Sequence, residues 1–575
     1  MSKIWNIKEP ADSNVVKHLS AALNVNMVIA NLLAQRGVTT FEEARTFFRP
    51  KLEHLHDPFL MQDMDKAVTR LEQAIKNKEH VLIYGDYDVD GTTSVALIYQ
   101  FLRNRVEHLD YYIPDRYSEG YGISNQSIDY AKNQNISLII ALDCGIKAIN
   151  KIEKAKNLGI DFIICDHHTP DEEIPQAVAV LDPKRIDCNY PYKELSGCGV
   201  GFKLIQAYSQ RNDIPIIELY DLLDLVAVSI AADIVPVNGE NRVLAYYGLK
   251  KLNENPSIGL KTIMNLSNVG SSKLTLSDVV FKIGPRLNAS GRIEHGKSSV
   301  DLLVMSDATE SSELGKEIDS FNEIRKKLDR DITQEALDMI KHDPIHADRM
   351  STVLYNRDWH KGVVGIVASR LTEHYYRPTI ILTESNGMAT GSARSVHGFD
   401  LYEAIGQCSD LLESYGGHTY AAGLTLKIDK IPEFTRRFEE IVAQSLTEEQ
   451  KVEVLKADSK LLLSDINDKF FRILRQFEPF GPSNPRPVFI STNIVDNGRG
   501  RCVGKGNEHL KLDITEPSEN ASCIPAIAFN QADKFQVVEQ GIPFDILYTI
   551  AENEYRGRKN LQLTIKDIDA PLSSL

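Results

Sequence analysis

The sequence predicts an α/β protein: a domain built on a parallel sheet, a long helix leading to a second α/β domain, and a small β-barrel after it. Three patterns predict this. Between residues 80 and 182, short apolar runs alternate with helix-length segments, as βαβ units require. Between Gly315 and Pro344 there is neither glycine nor proline. Beyond residue 455, HLKLDI, CIPAIAF, FDILYTI and LQLTIKDI are short strand-like runs separated by polar turns. A chain of 575 residues also suits about three to five domains at roughly 100–200 residues each.

The first stretch, 1–50, reads as helical and polar, with a stop near Arg49-Pro50. The parallel-sheet domain is expected over 51–306. Its strands are HVLIYGD ending at Asp86, LDYYIPD at Asp115, SLIIALD at Asp143, DFIICD at Asp166 and AVAVLD at Asp182, with helices such as 92–105 and 146–158 between them. Right-handed crossovers point such strands one way, so the terminal aspartates should gather along the sheet edge where α/β folds bind ligands. For Asp115 and Asp182 an ordinary turn or helix-cap role has equal standing. The connecting helix is placed at 307–343. There Leu314, Ile318, Phe321, Ile324, Leu328, Ile332 and Ala336 recur every three or four residues, and the 28 interior residues would reach about 42 Å. The second α/β domain is placed at 344–452 and the barrel at 453–575. No internal repeat or low-complexity tract is evident.

Composition narrows the function classes. Hydrophobic residues make up 42% and charged residues 25%, which is ordinary globular composition. No apolar run reaches the roughly 18–20 residues of a membrane span, and MSKIWNIKEPADSN has no apolar signal core, so a cytoplasmic protein without a membrane partner is expected. The cysteines at 144, 165, 188, 198, 408, 502 and 523 are odd in number, scattered and free of CxxC pairs, which argues against a disulfide framework or a zinc ribbon. A net charge of −15 argues against a generally basic nucleic-acid coat and leaves room for a local groove.

The chemistry concentrates in a few motifs. Asp86-Tyr87-Asp88-Val89-Asp90-Gly91 begins like an EF-hand loop, but its twelfth position is Leu97 rather than glutamate and a strand precedes it. Three carboxylates in five residues repel one another and favour a cation, the alternative being a solvated acidic turn. Asp166-His167-His168 follows the fourth strand, and imidazole beside carboxylate suits Mn²⁺. Asp143 closes an apolar run, and Asp233 sits in LVAVSIAADIVPV, where an unpaired carboxylate needs a cation, a proton or hydrogen bonds from a helix end. Together they make room for two divalent ions, Mn²⁺ or Mg²⁺, in a phosphoester-hydrolysing arrangement. Arg286 and Arg292 flank Asn288 in what reads as a glycine-bounded loop, two guanidiniums without nearby acids that suit phosphate. Tyr121 could stack on a base or pack its loop, and His418, after two glycines, could contact a phosphate backbone or be structural. Gly197-Cys198-Gly199-Val200-Gly201 lacks the sixth-position glycine of a dinucleotide motif and reads as the flexible start of a helix. In the tail, Arg499, Arg501, Lys505, Lys511, Arg556, Arg558 and Lys559 could line a strand face for single-stranded nucleic acid, or a solvated barrel surface.

DYDVDG, LDCG, DHH and AADIVP, in this order, resemble the motifs of the DHH phosphoesterase superfamily. GPRLNASGR (284–292), WHKGVVG (359–365), GSARS (391–395) and GGHTYAAG (416–423) narrow the resemblance to the RecJ family of bacterial single-strand-specific 5′→3′ exonucleases. The resemblance implies a DHH phosphoesterase domain, a DHHA1-type substrate-binding domain and an OB-fold. It implies that Asp86, Asp88 and Asp143 hold one metal ion and that Asp90, Asp143, His167 and Asp233 hold the other, with Asp143 bridging. Related phosphatases carry a histidine slightly upstream, where this chain has Tyr84 or Asp86. His168 would face the scissile phosphate as ligand or proton donor, and Arg116, Ser392 and Arg394 would recognise the 5′ end. The expected activity is release of 5′-mononucleotides from single-stranded DNA in recombination and repair. A monomer is expected, with a single-strand-binding protein and a RecQ-type helicase as implied partners. Two rivals are a non-catalytic scaffold, opposed by the filled ligand positions, and a small-substrate phosphodiesterase, opposed by the long β-rich tail.

Overall fold

A computed structural model describes residues 3–269, 273–343, 348–517, 523–539, 541–555 and 558–569. The chain forms two compact units. The larger comprises chiefly His56–Asp233 and Tyr247–Glu453, and the smaller Ile4–Leu55, Ile234–Tyr246 and Val454–Leu575. Strand β1 (Ile4–Ile7) belongs to the smaller unit.

In the larger unit, β2 (His80–Gly85), β3 (His108–Tyr112), β4 (Leu138–Leu142), β5 (Asp161–Cys165) and β6 (Ala179–Leu181) form a sheet of order β3-β2-β4-β5-β6. Every neighbouring pair is parallel, as the alternation of strands and helices predicts. All of β4, the run LIIAL, is buried, because helices cover a parallel sheet on both faces. Gly85 lies opposite Leu142, Leu142 opposite Cys165, and Cys165 opposite Leu181. The next residue of each strand is an aspartate, so Asp86, Asp143, Asp166 and Asp182 form one row at the carboxyl edge. Asp115 lies farther out, where its carboxylate accepts from the backbone of Tyr117 and Ser118, the ordinary turn role. Asp182 likewise accepts from the Lys184 backbone at 2.7 Å.

The predicted long helix runs Ala308–His342, 35 residues, or about 52 Å. It buries Ile318, Ile332, Ala336 and Ile340, whereas Ile324 of the expected apolar stripe is 47% exposed. Beyond it, β7 (Thr352–Tyr355), β8 (Thr379–Ser385), β9 (Met388–Arg394), β10 (Leu412–His418) and β11 (Ala421–Leu426) make a mixed sheet of order β10-β11-β9-β8-β7.

The smaller unit contains β12 (Val454–Ala457), β13 (Ser459–Lys460), β14 (Phe489–Asp496), β15 (Arg501–Val503), β16 (His509–Thr515), β17 (Ile524–Ala528), β18 (Phe544–Tyr555) and β19 (Arg558–Asp569). Their order is β13-β14-β18-β19-β17-β16-β15, and β14 also pairs with β16, closing a five-stranded ring. The N-terminal segment is helical as expected, over Ser13–Leu23, Met27–Ala34 and Phe41–Phe48, but it is not simply polar. Leu19, Ile29, Leu32 and Leu33 share one core with Phe470, Phe489, Leu510 and Phe544 of the barrel, and β1 pairs with β12. Among the tail cations, Arg499, Arg501 and Lys505 are exposed, while Lys559 pairs with Glu552 at 3.0 Å. Arg556 and the side chain of Arg558 lie outside the described residues. All seven cysteines are free thiols. Among the described residues no single helix is long and apolar enough to cross a membrane.

Candidate metal centre

The DYDVDG segment turns directly from β2 into the helix Val89–Leu102, with Asp88 as its N-cap accepting from the Gly91 backbone at 3.0 Å. The turn closes tightly: a Cβ on Gly91 would stand 2.3 Å from the Asp86 carbonyl oxygen, so only glycine fits. Asp86 and Asp90 are buried, and Asp86 Oδ1 has no hydrogen-bond partner.

Asp90 points back under the sheet edge. One of its oxygens accepts from the Gly197 backbone at 2.7 Å, and the other from the Cys198 backbone at 2.9 Å and from Ser229 Oγ at 2.7 Å. The backbone donors are the N-terminal amides of the helix Gly197–Arg211, whose positive end favours a carboxylate. The glycine-rich stretch expected to be a flexible helix start is therefore a rigid, buried one. A Cβ on Gly197 would lie 2.6 Å from Asp143 Cβ, so the first glycine there lets helix and sheet edge close together.

His167 stands at the centre. Its Nε2 is 3.1 Å from Asp143 Oδ1, 3.6 Å from Asp233 Oδ2 and 3.8 Å from Asp90 Oδ2. The ligand atoms of Asp90, His167 and Asp233 lie within 4.8 Å of one another, and so do those of Asp143, His167 and His168. Asp86 and Asp88 lie outside both groups, and His168 joins Asp143 in one of them. Asp233 caps the helix Leu223–Ala232, the helix-end position open to it in the sequence, yet its side chain is only 28% exposed and faces this cluster.

The electrostatics favour a cation. Burial, and then repulsion from neighbouring aspartates, hold Asp143 and Asp86 well above the usual carboxylate range and push Asp233 up to about 8. Burial pulls the His167 imidazole down, and both of its ring nitrogens are buried without a hydrogen-bond partner. Orphaned imidazole nitrogens among repelling carboxylates are the donor set of a divalent metal site, so the residues fit Mn²⁺ or Mg²⁺.

Asp166, read from the sequence as a carboxylate beside metal-suited imidazoles, instead organises the two histidines. It accepts from the backbones of His167 at 2.7 Å, His168 at 3.2 Å and Ile146 at 2.9 Å, and from His168 Nδ1 at 2.7 Å. Burial opposes its ionisation, but these bonds, His168 first, hold it at about 2. Burial works against His168 too, and the Asp166 bond outweighs it, raising the imidazole to about 9. The Tyr121 hydroxyl meets His168 Nε2 at 3.1 Å, so this ring packs on the cluster itself.

A cationic wall stands nearby. Arg292 donates to the Gly362 carbonyl at 2.9 Å and, among the described residues, pairs with no carboxylate. Burial, then repulsion from Arg116, Arg325 and Arg394, brings it down to about 10. Arg116 lies over the Tyr87 ring at 4.7 Å, and Arg394 donates to Ser392 Oγ at 2.8 Å. Arg325 was not singled out in the sequence, because the helical stripe around it reads as packing alone. Arg286 does not join this wall. Residues 284–293 are a helix rather than a loop, which turns Arg286 to Asp319 in a half-buried ion pair at 2.8 Å. Asn288 is half-buried one turn before Arg292. His418 is exposed at the end of β10, opposite Ala421, and among the described residues nothing joins it to the cluster.

Known proteins carry the same arrangement of parts. Residues 80–230 match the DHH family, N-terminal domain; residues 350–444 the DHHA1 domain; and residues 457–567 the RecJ OB domain. The single-stranded-DNA-specific exonuclease RecJ of Bacillus subtilis (strain 168) is 39% identical over 566 residues, covering 98% of this chain and 70% of that protein. The crystal structure of Thermus thermophilus RecJ in complex with Mn²⁺ has a TM-score of 0.84 at 26% identity, covering 99% of this chain and 80% of that one. The Mg²⁺ complex of the same protein has a TM-score of 0.78 at 25% identity, covering 99% and 78%.

Proposed function

The chain belongs to the RecJ family of single-stranded-DNA-specific exonucleases and is a metal-dependent nuclease, and from that premise we propose that it degrades single-stranded DNA from the 5′ end, releasing 5′-mononucleotides. The observation that carries the proposal is the juxtaposition of a buried carboxylate–imidazole cluster with guanidiniums that, among the described residues, pair with no carboxylate. Asp90, Asp143, His167 and Asp233 would hold one divalent ion, and Asp86 and Asp88, with Asp143 shared, the second. Bound there, the ions supply positive charge against the phosphate oxygens and acidify an attacking water.

The chain's own groups supply the rest. His168, held protonated at neutral pH by Asp166, faces the scissile phosphate and donates a proton to the departing 3′ oxygen. Tyr121 fixes the orientation of that ring. Arg116, Arg292 and Arg394, with Ser392, take the terminal phosphate, since a guanidinium repelled by its neighbours gains most from an anion. Asn288 and His418 contact the strand farther along, the exposed tail cations offer single-stranded DNA a surface of their own unit, and Arg286, engaged by Asp319, takes no part. Duplex ends would need unwinding first, which suits a RecQ-type helicase and a single-strand-binding protein as partners in recombination and repair.

Single-stranded DNA labelled at its 5′ or 3′ end, incubated with Mn²⁺ or EDTA, tests the reading. We expect immediate release of the 5′ label as mononucleotide, abolished by EDTA and by Asp143→Ala. Bound but uncut DNA with the wild type in Mn²⁺ would make the chain a scaffold.

A further inference from the structure

Residues 113–123 leave the carboxyl end of β3 and carry three side chains to three places within the larger unit. Arg116 lies over the Tyr87 ring in the cationic wall. The Tyr117 hydroxyl donates to the Arg292 carbonyl. Five residues after Arg116, the Tyr121 hydroxyl meets His168 Nε2 at 3.1 Å and the Asp143 carbonyl at 3.5 Å. One loop thus reaches both the group that takes the terminal phosphate and the group that serves the departing oxygen.

The backbone of this loop is not stiff of itself. Gly120 and Gly122 flank Tyr121 with φ of 84° and 77°, a left-handed region that glycine enters without strain. What holds the loop is one carboxylate, that of Glu119. Its Oε1 accepts from the Asp115 backbone at 2.8 Å and its Oε2 from Ser124 Oγ at 2.5 Å. The Tyr112 hydroxyl donates to both oxygens, at 3.1 and 3.0 Å. Tyr112 is the last residue of β3, and Ser124 is the N-cap of the helix Asn125–Asn133. The carboxylate therefore ties the two ends of the loop together across its mouth. Hydrogen bonds to an ionised acceptor are roughly twice as strong as neutral ones, which suits a single side chain to this task.

We propose that Glu119 is a positioning residue that sets the register of cleavage. By closing the loop it fixes the separation between Arg116, at the terminal phosphate, and Tyr121, at the His168 that protonates the leaving oxygen. The proposal rests on the function proposed above and deepens it, because a mononucleotide is released only when those two points stand one nucleotide apart. A loop free to open lets the terminal and scissile phosphates fall out of step.

The test uses the full chain and single-stranded DNA carrying a 5′-phosphate or a 5′-hydroxyl, with product lengths resolved and Mn²⁺ titrated. Glu119→Ala removes the staple. Glu119→Gln keeps its shape and an acceptor for the Asp115 amide, and the two hydroxyls can turn to accept from its amide nitrogen. With Glu119→Ala, kcat/KM on 5′-phosphorylated DNA should fall about 10–100-fold. The preference for a 5′-phosphate should disappear, and dinucleotides should join the mononucleotide product. Glu119→Gln should restore most of each, and Tyr112→Phe, which removes one donor, should show the same changes in smaller measure. Mn²⁺ half-saturation should stay at the wild-type value throughout. In an Arg116→Ala background, Glu119→Ala should cost the phosphate preference nothing further. Mononucleotides alone, with the 5′-phosphate preference intact in Glu119→Ala, overturn the proposal. So does an equal loss on both substrates alongside a lowered melting temperature, which is the signature of a merely structural carboxylate. Calorimetric binding of thymidine 5′-monophosphate against thymidine separates this proposal from the nuclease reading. A wild type that favours the monophosphate, and loses that preference with Glu119→Ala, yet cuts no DNA would sink the nuclease reading and leave the hold of Glu119 on the phosphate grip standing.

Discussion

Asp233→Asn should make the metal-free protein more stable while destroying its activity. In the folded state the Asp233 carboxyl sits at about 8, held there by burial and by repulsion from Asp90 and Asp88. In the unfolded chain it returns to its ordinary value of 3.8. An acid whose folded value is raised opposes folding at any pH above its unfolded value, and the penalty grows until the pH passes the folded value. At pH 7 the penalty spans about three pH units at 1.36 kcal/mol each, or about 4 kcal/mol. The side chain is 28% exposed, so water screens part of it, and a gain of about 2–4 kcal/mol is expected from the neutral amide. Urea unfolding in EDTA at pH 7 measures the gain. The wild type should also become more stable as the pH falls from 8 towards 5, with the variant showing less of this slope. Equal stability of the two proteins in EDTA, or a wild-type slope of the opposite sign, would refute the repulsion argument.

Other consequences of the same geometry can be measured directly. Mn²⁺ binding at pH 7 should release protons, because Asp143, Asp86 and Asp233 all sit above the usual carboxylate range. Calorimetry in buffers of different ionisation enthalpy should find the Asp233 share of that release shrinking above pH 8. Arg292→Ala should raise KM for 5′-phosphorylated strands about 10–100-fold at little cost in melting temperature, since it removes a phosphate contact of about 1.5–3 kcal/mol and relieves repulsion with Arg116 and Arg394. Arg286→Met should do the reverse, lowering stability by about 3 kcal/mol through the orphaned Asp319 and leaving KM within about twofold.

The parallel sheet was legible because a buried β-strand must be apolar along its whole length, and an aspartate closing such a run stands out. Asp86, Asp143 and Asp166 were readable for that reason, and the register puts them in one row. Arg286 misled because sequence shows spacing and not direction. Six residues from Arg292 on a helix, it points elsewhere and finds Asp319, 33 positions away. Asp166 was seen without this role, since nothing local reveals that one carboxylate would gather three backbone amides and an imidazole. The N-terminal helices looked polar because their apolar faces answer to strands more than 400 residues later, beyond the reach of any local pattern.

That shared core sets an order for synthesis. Ile29, Leu32 and Leu33 leave the ribosome more than 400 residues ahead of their partners Phe470, Phe489 and Phe544. At about 5–20 residues per second, the roughly 400 intervening residues keep those side chains waiting about 20–80 s. Meanwhile the parallel sheet can complete itself from residues already emerged. These helices therefore find their place only after the parallel sheet has emerged, and over that interval their apolar stripe is open to chaperones.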